Sequence, residues 1–214
     1  MSAADFLLSP GVQKLLTVLY AHPGQQFSPL ELAKTCKLDT DELEGTLGHL
    51  LSSGVLTKCK PAEGQAEQVT ANVSFVFYQE LRTIALKSFA AAEPLRAMLR
   101  SKFKESVLRA FILGEAGAAG TLELLIVHGK VAPDQAALAA ALQKVVKAIS
   151  RQLQVHVLSH GEFRGLGPRD ALTRKLASKS SFEIVALGDT KAEVPTERVS
   201  LLRRATKRLA SLAA

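Results

Sequence analysis

The middle of the chain contains the run Phe111-Ile-Leu-Gly-Glu-Ala-Gly-Ala-Ala-Gly-Thr-Leu-Glu-Leu-Leu-Ile-Val127. Residues 107–113 and 122–127 are apolar and of strand length, and the glycines between them predict strand, turn and strand. A glycine-rich turn lets the backbone approach a phosphate closely. Neither common phosphate motif is present, because no Lys-Ser or Lys-Thr pair follows Gly120 and the other glycines are not spaced as in a dinucleotide fingerprint.

The composition indicates a folded protein of one large or two small domains. Of the 214 residues, 47% are hydrophobic and 22% are charged, which excludes a disordered chain. There is no run of 18 apolar residues and no signal-peptide pattern, so we expect a cytoplasmic protein without a membrane partner. Cys36 and Cys59 have no Cys or His nearby in the sequence, so we expect no disulfide, no metal site and no cofactor.

The net charge of +7 is distributed unevenly along the chain. Residues 1–93 carry seven Lys or Arg against ten Asp or Glu, whereas 94–190 carry fourteen against eight and 191–214 carry six against two. Polyanions are attracted to positive regions, so contacts with nucleic acid are expected in the middle and the tail of the chain.

Residues 1–92 show the order helix, helix, helix and hairpin. The second helix starts with Ser28 as its N-cap, followed by Pro29 and Glu31, and the third starts with Asp39, with Glu42 three residues later. Gly54 ends the third helix. Two short alternating runs separated by a turn then predict a hairpin. The first and third predicted helices lie at 10–20 and 39–54, and a short second helix begins at Ser28. The predicted strands lie at 55–60 and 67–72, and a long helix follows from residue 75.

Several runs in this part resemble bacterial winged helix-turn-helix regulators, in the subgroup where the winged helix is fused to a nucleotidyltransferase-like domain. Leu50-Leu-Ser-Ser-Gly-Val-Leu56 is similar to the passage from a recognition helix into the wing. The other similar runs are Val69-Thr-Ala-Asn72, Tyr78-Gln-Glu-Leu-Arg82 and Leu86-Lys-Ser-Phe89. The resemblance extends to about Val194 and implies an α+β protein. Its parts would be a winged helix-turn-helix with a long linker helix at 1–92, a small mixed α/β nucleotidyltransferase-like domain at 93–190 and a basic amphipathic C-terminal helix at 191–214.

The resemblance implies that the third helix enters the major groove of double-stranded DNA and that the wing approaches the phosphates. The residues placed at the DNA in this way are Thr40, Thr46, His49, Lys58 and Lys60. The third helix departs from the pattern, because Asp41 and Glu44 are acidic and none of its groove-facing positions is Lys or Arg. The alternative is a winged helix that serves in dimerisation or protein docking.

Residues 93–190 alternate strands with helices, which is typical of a small mixed α/β domain. This domain resembles the minimal nucleotidyltransferases of the DNA polymerase β superfamily. In that superfamily a Gly-Ser turn cradles the nucleotide phosphates, and three carboxylates hold Mg²⁺ ions that neutralise charge during an in-line displacement. One predicted helix begins at residue 94, and two more lie at 133–151 and 168–178. The predicted strands lie at 107–113, 122–127, 154–158 and 182–187.

Mapped residue by residue, the functional pattern of the superfamily is incomplete. The two glycines match, but Glu115 stands in place of Ser and Ala119 in place of Arg. Glu123 is the one carboxylate left of the Asp-x-Asp pair. The position of the third acid falls near Gln154, where the chain has no acid. One carboxylate does not hold two Mg²⁺ ions, so the resemblance implies a site without catalysis. The vestigial nucleotide site would comprise Gly114, Glu115, Gly120 and Glu123. A residual nucleotide-binding enzyme is the alternative.

The remaining candidates are three histidines and the tail. His128, His156 and His160 do not form a pair on a predicted helix, so we expect ordinary surface or core histidines and no metal site. The tail places apolar residues on one helical face and cations on the other. Contacts with the DNA backbone are predicted for Arg203, Arg204, Lys207 and Arg208. A docked helix with a solvated basic face and a membrane-surface helix are the alternatives.

Taken together, these patterns predict a DNA-binding transcriptional regulator that forms a homodimer. Its nucleotidyltransferase-like domain would serve as a scaffold, a dimer surface or a sensor. The alternative is a protein-interaction module that reuses both folds without binding DNA. The chain itself indicates no particular small-molecule effector.

Overall fold

The structure, a computed structural model, describes residues 2–59, 67–116 and 120–195. The described residues form helices and two separate sheets, which confirms the predicted α+β class. The helices are α1 (Pro10–Ala21), α2 (Pro29–Cys36), α3 (Thr40–Ser52), α4 (Tyr78–Lys87), α5 (Ala92–Lys102), α6 (Gln135–Ile149), α7 (His160–Gly165) and α8 (Ala171–Leu176). The strands are β1 (Leu56–Cys59), β2 (Gln68–Ala71), β3 (Val107–Ala116), β4 (Thr121–His128), β5 (Leu153–Ser159) and β6 (Phe182–Val185).

The second and third helices begin at the capping residues that the sequence predicts, Ser28 and Asp39, and the first helix begins at the predicted Pro10. The Ser9 hydroxyl accepts from the amide of Val12 at the start of α1, where Pro10 is the first helical residue. Ser28 and Glu31 form a reciprocal capping box at the start of α2. Asp39 accepts from the amide of Glu42 at 2.8 Å and opens α3. Each cap satisfies amides that have no partner inside their own helix.

The first part of the chain packs around α1. Leu15, Leu16, Leu19 and Tyr20 are completely buried, because α2, α3, α4 and the β1–β2 hairpin surround this helix. The hairpin pairs Leu56 with Ala71 in antiparallel register. This core continues to Ala90, and the next core begins at Ala91.

The second core is built on a four-stranded sheet with the order β5-β4-β3-β6. The two strands predicted in the middle of the chain are β3 and β4, which pair antiparallel, and β4 pairs with β5 in parallel. Alternate residues of a strand point to opposite faces of a sheet. Leu122, Leu124 and Ile126 therefore pack with α5 and α6, whereas Leu125 and Val127 pack with residues of α7 and α8. Helices cover both faces, which explains why β3 and β4 are almost continuously apolar.

Three helices differ from the prediction. The helix expected from residue 75 begins at Tyr78 and ends at Lys87, where Ser88 leaves helical geometry before α5 starts. The helix expected at 168–178 is restricted to α8, because Gly167 and Asp170 form a turn ahead of it. The short helix α7 was not predicted, although Ser159 and Glu162 form the capping box that marks its start. None of the described helices has the length and apolarity needed to cross a membrane.

A buried ion network joins the two cores. The Arg151 guanidinium, 3% exposed and located just after α6, bonds the Glu115 carboxylate at the end of β3 and the backbone carbonyl of Tyr20 at the end of α1. Arg82 of α4 bonds the other oxygen of Glu115. We call Arg82, Glu115, Arg151 and the Tyr20 carbonyl the junction network. Burial lowers the pKa of Arg151 below its ordinary value, and the neighbouring Glu115 carboxylate opposes that shift.

Removal of the one carboxylate in the junction network leaves two guanidinium groups without a counter-charge. We expect Glu115→Leu to lower the free energy of unfolding by about 3–5 kcal/mol, the usual result of breaking a buried ion pair. Urea denaturation followed by circular dichroism measures the change.

Glu67→Gln is the matched control, because Glu67 pairs with Lys58 on the exposed face of the hairpin. This change is expected to have little effect on unfolding, since exposed pairs contribute little. Equal effects of Glu115→Leu and Glu67→Gln would contradict a stabilising role of the junction network.

Candidate functional site

Three positions that the nucleotidyltransferase resemblance singles out lie side by side in the sheet. Gly114 of β3 pairs with Glu123 of β4, and Glu123 pairs in turn with Gln154 of β5. Directly paired residues of neighbouring strands share one face of a sheet. The one remaining carboxylate therefore lies between a glycine and an uncharged amide on the face that α7 and α8 cover.

Glu123 is neutralised from inside the protein. Its side chain is buried, with the residue 4% exposed, and the Lys175 ammonium of α8 bonds both carboxylate oxygens at 2.6 Å. A buried carboxylate needs a counter-charge, because removing a charge from water is unfavourable. In nucleotidyltransferases of the DNA polymerase β superfamily, metal ions supply positive charge beside the catalytic acids. Here a lysine supplies the positive charge.

Glu115 and Gly120 lie on the other side of the sheet. Glu115 pairs with Leu122, which packs against α5 and α6, and its carboxylate belongs to the junction network. Gly120 has a positive φ of 62°, and a Cβ atom there would lie 3.8 Å from Nη1 of Arg151. The four residues predicted as a vestigial nucleotide site are thus divided between two clusters, and Glu115 and Glu123 do not share one face.

Gly114 shows why one of these positions requires glycine. Its φ is 120°, and a Cβ atom would approach the Ser180 hydroxyl oxygen to 2.8 Å. A side chain at this position would strain the backbone and collide with the turn that precedes β6. The close approach is structural here, since the neighbouring group is a serine of the chain itself.

The sequence did not mark Lys175, Arg82 or Arg151 as residues of this region. Lys175 belongs to a short basic helix, and its importance depends on α8 packing on the sheet so that its side chain reaches Glu123 of β4. Arg151 follows the last turn of α6, where a cation is common because of the helix dipole. No local pattern distinguishes these three cations from the exposed Lys and Arg of the chain.

The three candidate histidines lie on three different elements. His156 lies on β5 and His160 begins α7, while Nδ1 of His128 lies 2.9 Å from the Gly129 carbonyl oxygen. The buried atoms Nε2 of His156 and Nδ1 of His160 have no hydrogen-bond partner in the described part of the chain. Across residues 2–59, 67–116 and 120–195, no group of three His, Cys, Asp or Glu side chains is placed to hold a metal ion.

The residues predicted at DNA on α3 do not all share its exposed face. Thr40 and His49 are exposed at opposite ends of the helix. Thr46 instead faces α1, where its hydroxyl donates to the Glu42 carbonyl and a Cβ atom on Gly11 would lie 3.1 Å from it. The acidic side chains of Asp41 and Glu44 are exposed between the two ends.

The predicted cationic contacts are only partly described. Lys58 of β1 is exposed and forms an ion pair with Glu67 across the hairpin, so its charge is partly compensated. The other predicted cations lie outside the described residues: Lys60, Arg203, Arg204, Lys207 and Arg208.

An apolar groove of about 680 Å³ opens beside the end of α3. The N-terminal segment, α1 and α4 form its walls, and His49 lies at its edge. Phe6, which precedes the groove-lining Leu7 in the chain, is 88% exposed, and Val76 and Phe77 are also largely exposed just before α4. Exposed apolar surface of this kind is typical of a binding surface.

Comparisons of the chain with protein-family models, with curated proteins and with solved structures find no match.

The pairing of Lys175 with Glu123 makes a prediction about stability. We expect Lys175→Met to lower the free energy of unfolding by about 2–4 kcal/mol, because it leaves a buried carboxylate without its counter-charge. The measurement is urea denaturation. Arg174→Met on the exposed side of the same helix is the control and should have little effect. The double change Lys175→Met/Glu123→Leu should recover most of the loss, and failure to recover it would show that Lys175 stabilises α8 in another way.

Proposed function

We propose that the chain is a transcriptional regulator that binds double-stranded DNA and whose nucleotidyltransferase-like domain has no catalytic activity. The observation that carries the non-catalytic part is the Lys175 ammonium on both oxygens of Glu123. Two-metal phosphoryl transfer needs several carboxylates that share the metal ions with the substrate phosphates. Here one carboxylate is occupied by a lysine, and its neighbour on β5 is Gln154.

The DNA-binding part of the proposal is supported by the order of elements in the first part of the chain. Three helices are followed by a hairpin, and α2 and α3 pack against each other with one face of α3 exposed. A helix presented in this way can enter the major groove while a neighbouring hairpin approaches phosphates. The resemblance assigns the winged helix-turn-helix to 1–92, the degenerate domain to 93–190 and a basic helix to 191–214. It also supports a homodimer and a cytoplasmic location.

The charges on α3 determine what kind of DNA binding the proposal requires. Asp41 and Glu44 repel phosphates, so the exposed face of α3 weakens the attraction of the duplex. Phosphate contacts from cations elsewhere in the chain must supply the attraction, and such binding weakens steeply as salt rises. Base contacts from Thr40 and His49 would then provide orientation and modest discrimination.

Removal of one acidic charge on α3 tests whether this helix lies at the DNA. We expect Glu44→Gln to raise affinity for duplex DNA by roughly twofold to fivefold at low salt, with a smaller effect at physiological salt. Fluorescence anisotropy with a labelled random-sequence duplex measures the change. Glu105→Gln removes the same charge from an exposed position after α5 and should leave affinity nearly unchanged. Equal effects of the two substitutions would exclude α3 from the DNA interface.

The apolar groove favours a second candidate function, a protein-interaction module that does not bind DNA. Phe77 lines the groove and the exposed Phe6 precedes its lining residue Leu7 in the chain, so two copies could insert aromatic side chains into each other's grooves around a two-fold axis. The anisotropy experiment separates the two functions. Absence of any duplex binding by the unchanged protein at low salt would favour the interaction module and overturn the regulator.

A further inference from the structure

A second cleft, of about 480 Å³, lies between the two cores. Lys14 and Thr17 of α1 form one wall, and Lys144 and Lys147 of α6 form the opposite wall. The end of α2 adds Lys37 to the same cleft. None of the residues lining this cleft is acidic, and its four lysines make no ion pair with any other described residue. We call it the lysine cleft.

Four ammonium groups around one small cleft repel one another. Lys144 and Lys147 lie three residues apart on one helical face, a spacing at which like charges are unfavourable. Buried and half-buried cations elsewhere are compensated, Lys175 by Glu123 and both Arg82 and Arg151 by Glu115, whereas the four lysines at the cleft are exposed. The lysine cleft has no such compensation from its own lining, so a bound anion would relieve the repulsion.

The dipoles of the surrounding helices explain only part of this cluster. Lys37 is at the end of α2 and Lys147 is in the last turn of α6, where the partial negative charge of a helix end attracts cations. Lys14 lies in the first half of α1, and Lys144 precedes the last turn of α6, so the dipoles of these helix ends do not account for them. Lys14 and Lys144 thus add positive charge to the cleft beyond what the helix ends attract.

Two helix ends meet at the lysine cleft. Within the described residues, the non-glycine residues with positive φ are Lys37 at 53° and Ser150 at 54°, and both line this cleft. Both residues are the C-caps of their helices, where left-handed backbone is a common way to end a helix. The ends of α2 and α6 therefore both border the cleft.

The other residues that line the cleft are compatible with a phosphorylated ligand. The hydroxyls of Thr35 and Ser150 make no hydrogen bond within the described part of the chain, and Phe89 adds an aromatic wall. Burial raises the pKa of the Cys36 thiol to about 11, so this lining group stays protonated and contributes no negative charge. The volume lies in the range of small-molecule pockets.

We propose that the lysine cleft binds a small ligand that carries two or three linked phosphate groups, such as a nucleoside di- or triphosphate. Lys14, Lys37, Lys144 and Lys147 hold the phosphates as point charges, and the hydroxyls of Thr35 and Ser150 donate hydrogen bonds to phosphate oxygens. The ligand then contacts α1 and α2 of one core and α6 of the other. This site is separate from the sheet positions Gly114 and Glu123, and it does not depend on DNA binding.

The test uses the full chain with tripolyphosphate and ATP as probes, both without added metal. Each probe should raise the melting temperature, since a ligand that binds only the folded protein stabilises it. Lys144→Ala/Lys147→Ala should weaken binding at least tenfold by isothermal titration calorimetry. Lys102→Ala/Lys104→Ala removes the same charge from exposed positions at the end of α5 and should weaken it less than threefold.

The unliganded variants provide a second measurement. Without ligand, Lys144→Ala/Lys147→Ala should melt at the same temperature as the unchanged protein or higher, because mutual repulsion has been reduced. The proposal would be overturned if neither tripolyphosphate nor ATP binds. It would also be overturned if the two double variants lose the same amount of binding affinity. Loss of duplex DNA binding in Lys144→Ala/Lys147→Ala with unchanged tripolyphosphate affinity would also overturn it, by assigning the cleft to the DNA backbone.

Discussion

The arrangement of the two cores depends on the burial of Arg151. A guanidinium removed from water requires every available partner, and this one uses the Glu115 carboxylate and the Tyr20 carbonyl, while Arg82 completes the charge balance. These contacts hold the end of α1, the end of β3 and the end of α6 against one another. The lysine cleft lies on the same seam, with α1 and α6 on opposite sides of it.

The two faces of the central sheet carry different chemistry because strand residues alternate. The face toward α5 and α6 places Glu115 in the junction network, and the face toward α8 places Glu123 beneath Lys175. Acidic residues that are close in sequence are therefore used separately, each as the partner of an internal cation. A site that combined them on one phosphate group would require both carboxylates on the same face. This division supports a structural role for the two remaining acids of the central hairpin.

The sequence predicted the elements better than it predicted the contacts between them. Capping residues such as Ser28 and the apolar runs of β3 and β4 are local signals, and both were interpreted correctly. The helix α7 was missed although its capping box was present, because the six-residue helix has no apolar periodicity. The pairing of Glu123 with Lys175 could not be predicted, since 52 residues separate them and only the packing of α8 on the sheet brings them together. The convergence of the four lysines at the cleft could not be predicted either, because only the packing of α1, α2 and α6 brings them together.

Nucleotidyl transfer is the activity that separates a regulator from a residual enzyme most directly. The measurement is incubation of the protein with Mg²⁺, duplex DNA or protein acceptors and nucleoside triphosphate labelled at the α-phosphate, followed by detection of label in macromolecules. Our account predicts that nucleotide can bind in the lysine cleft but that no label is transferred. Mg²⁺-dependent transfer that disappears in Glu123→Gln would contradict it, because that result would require Glu123 to leave Lys175 and hold a metal ion.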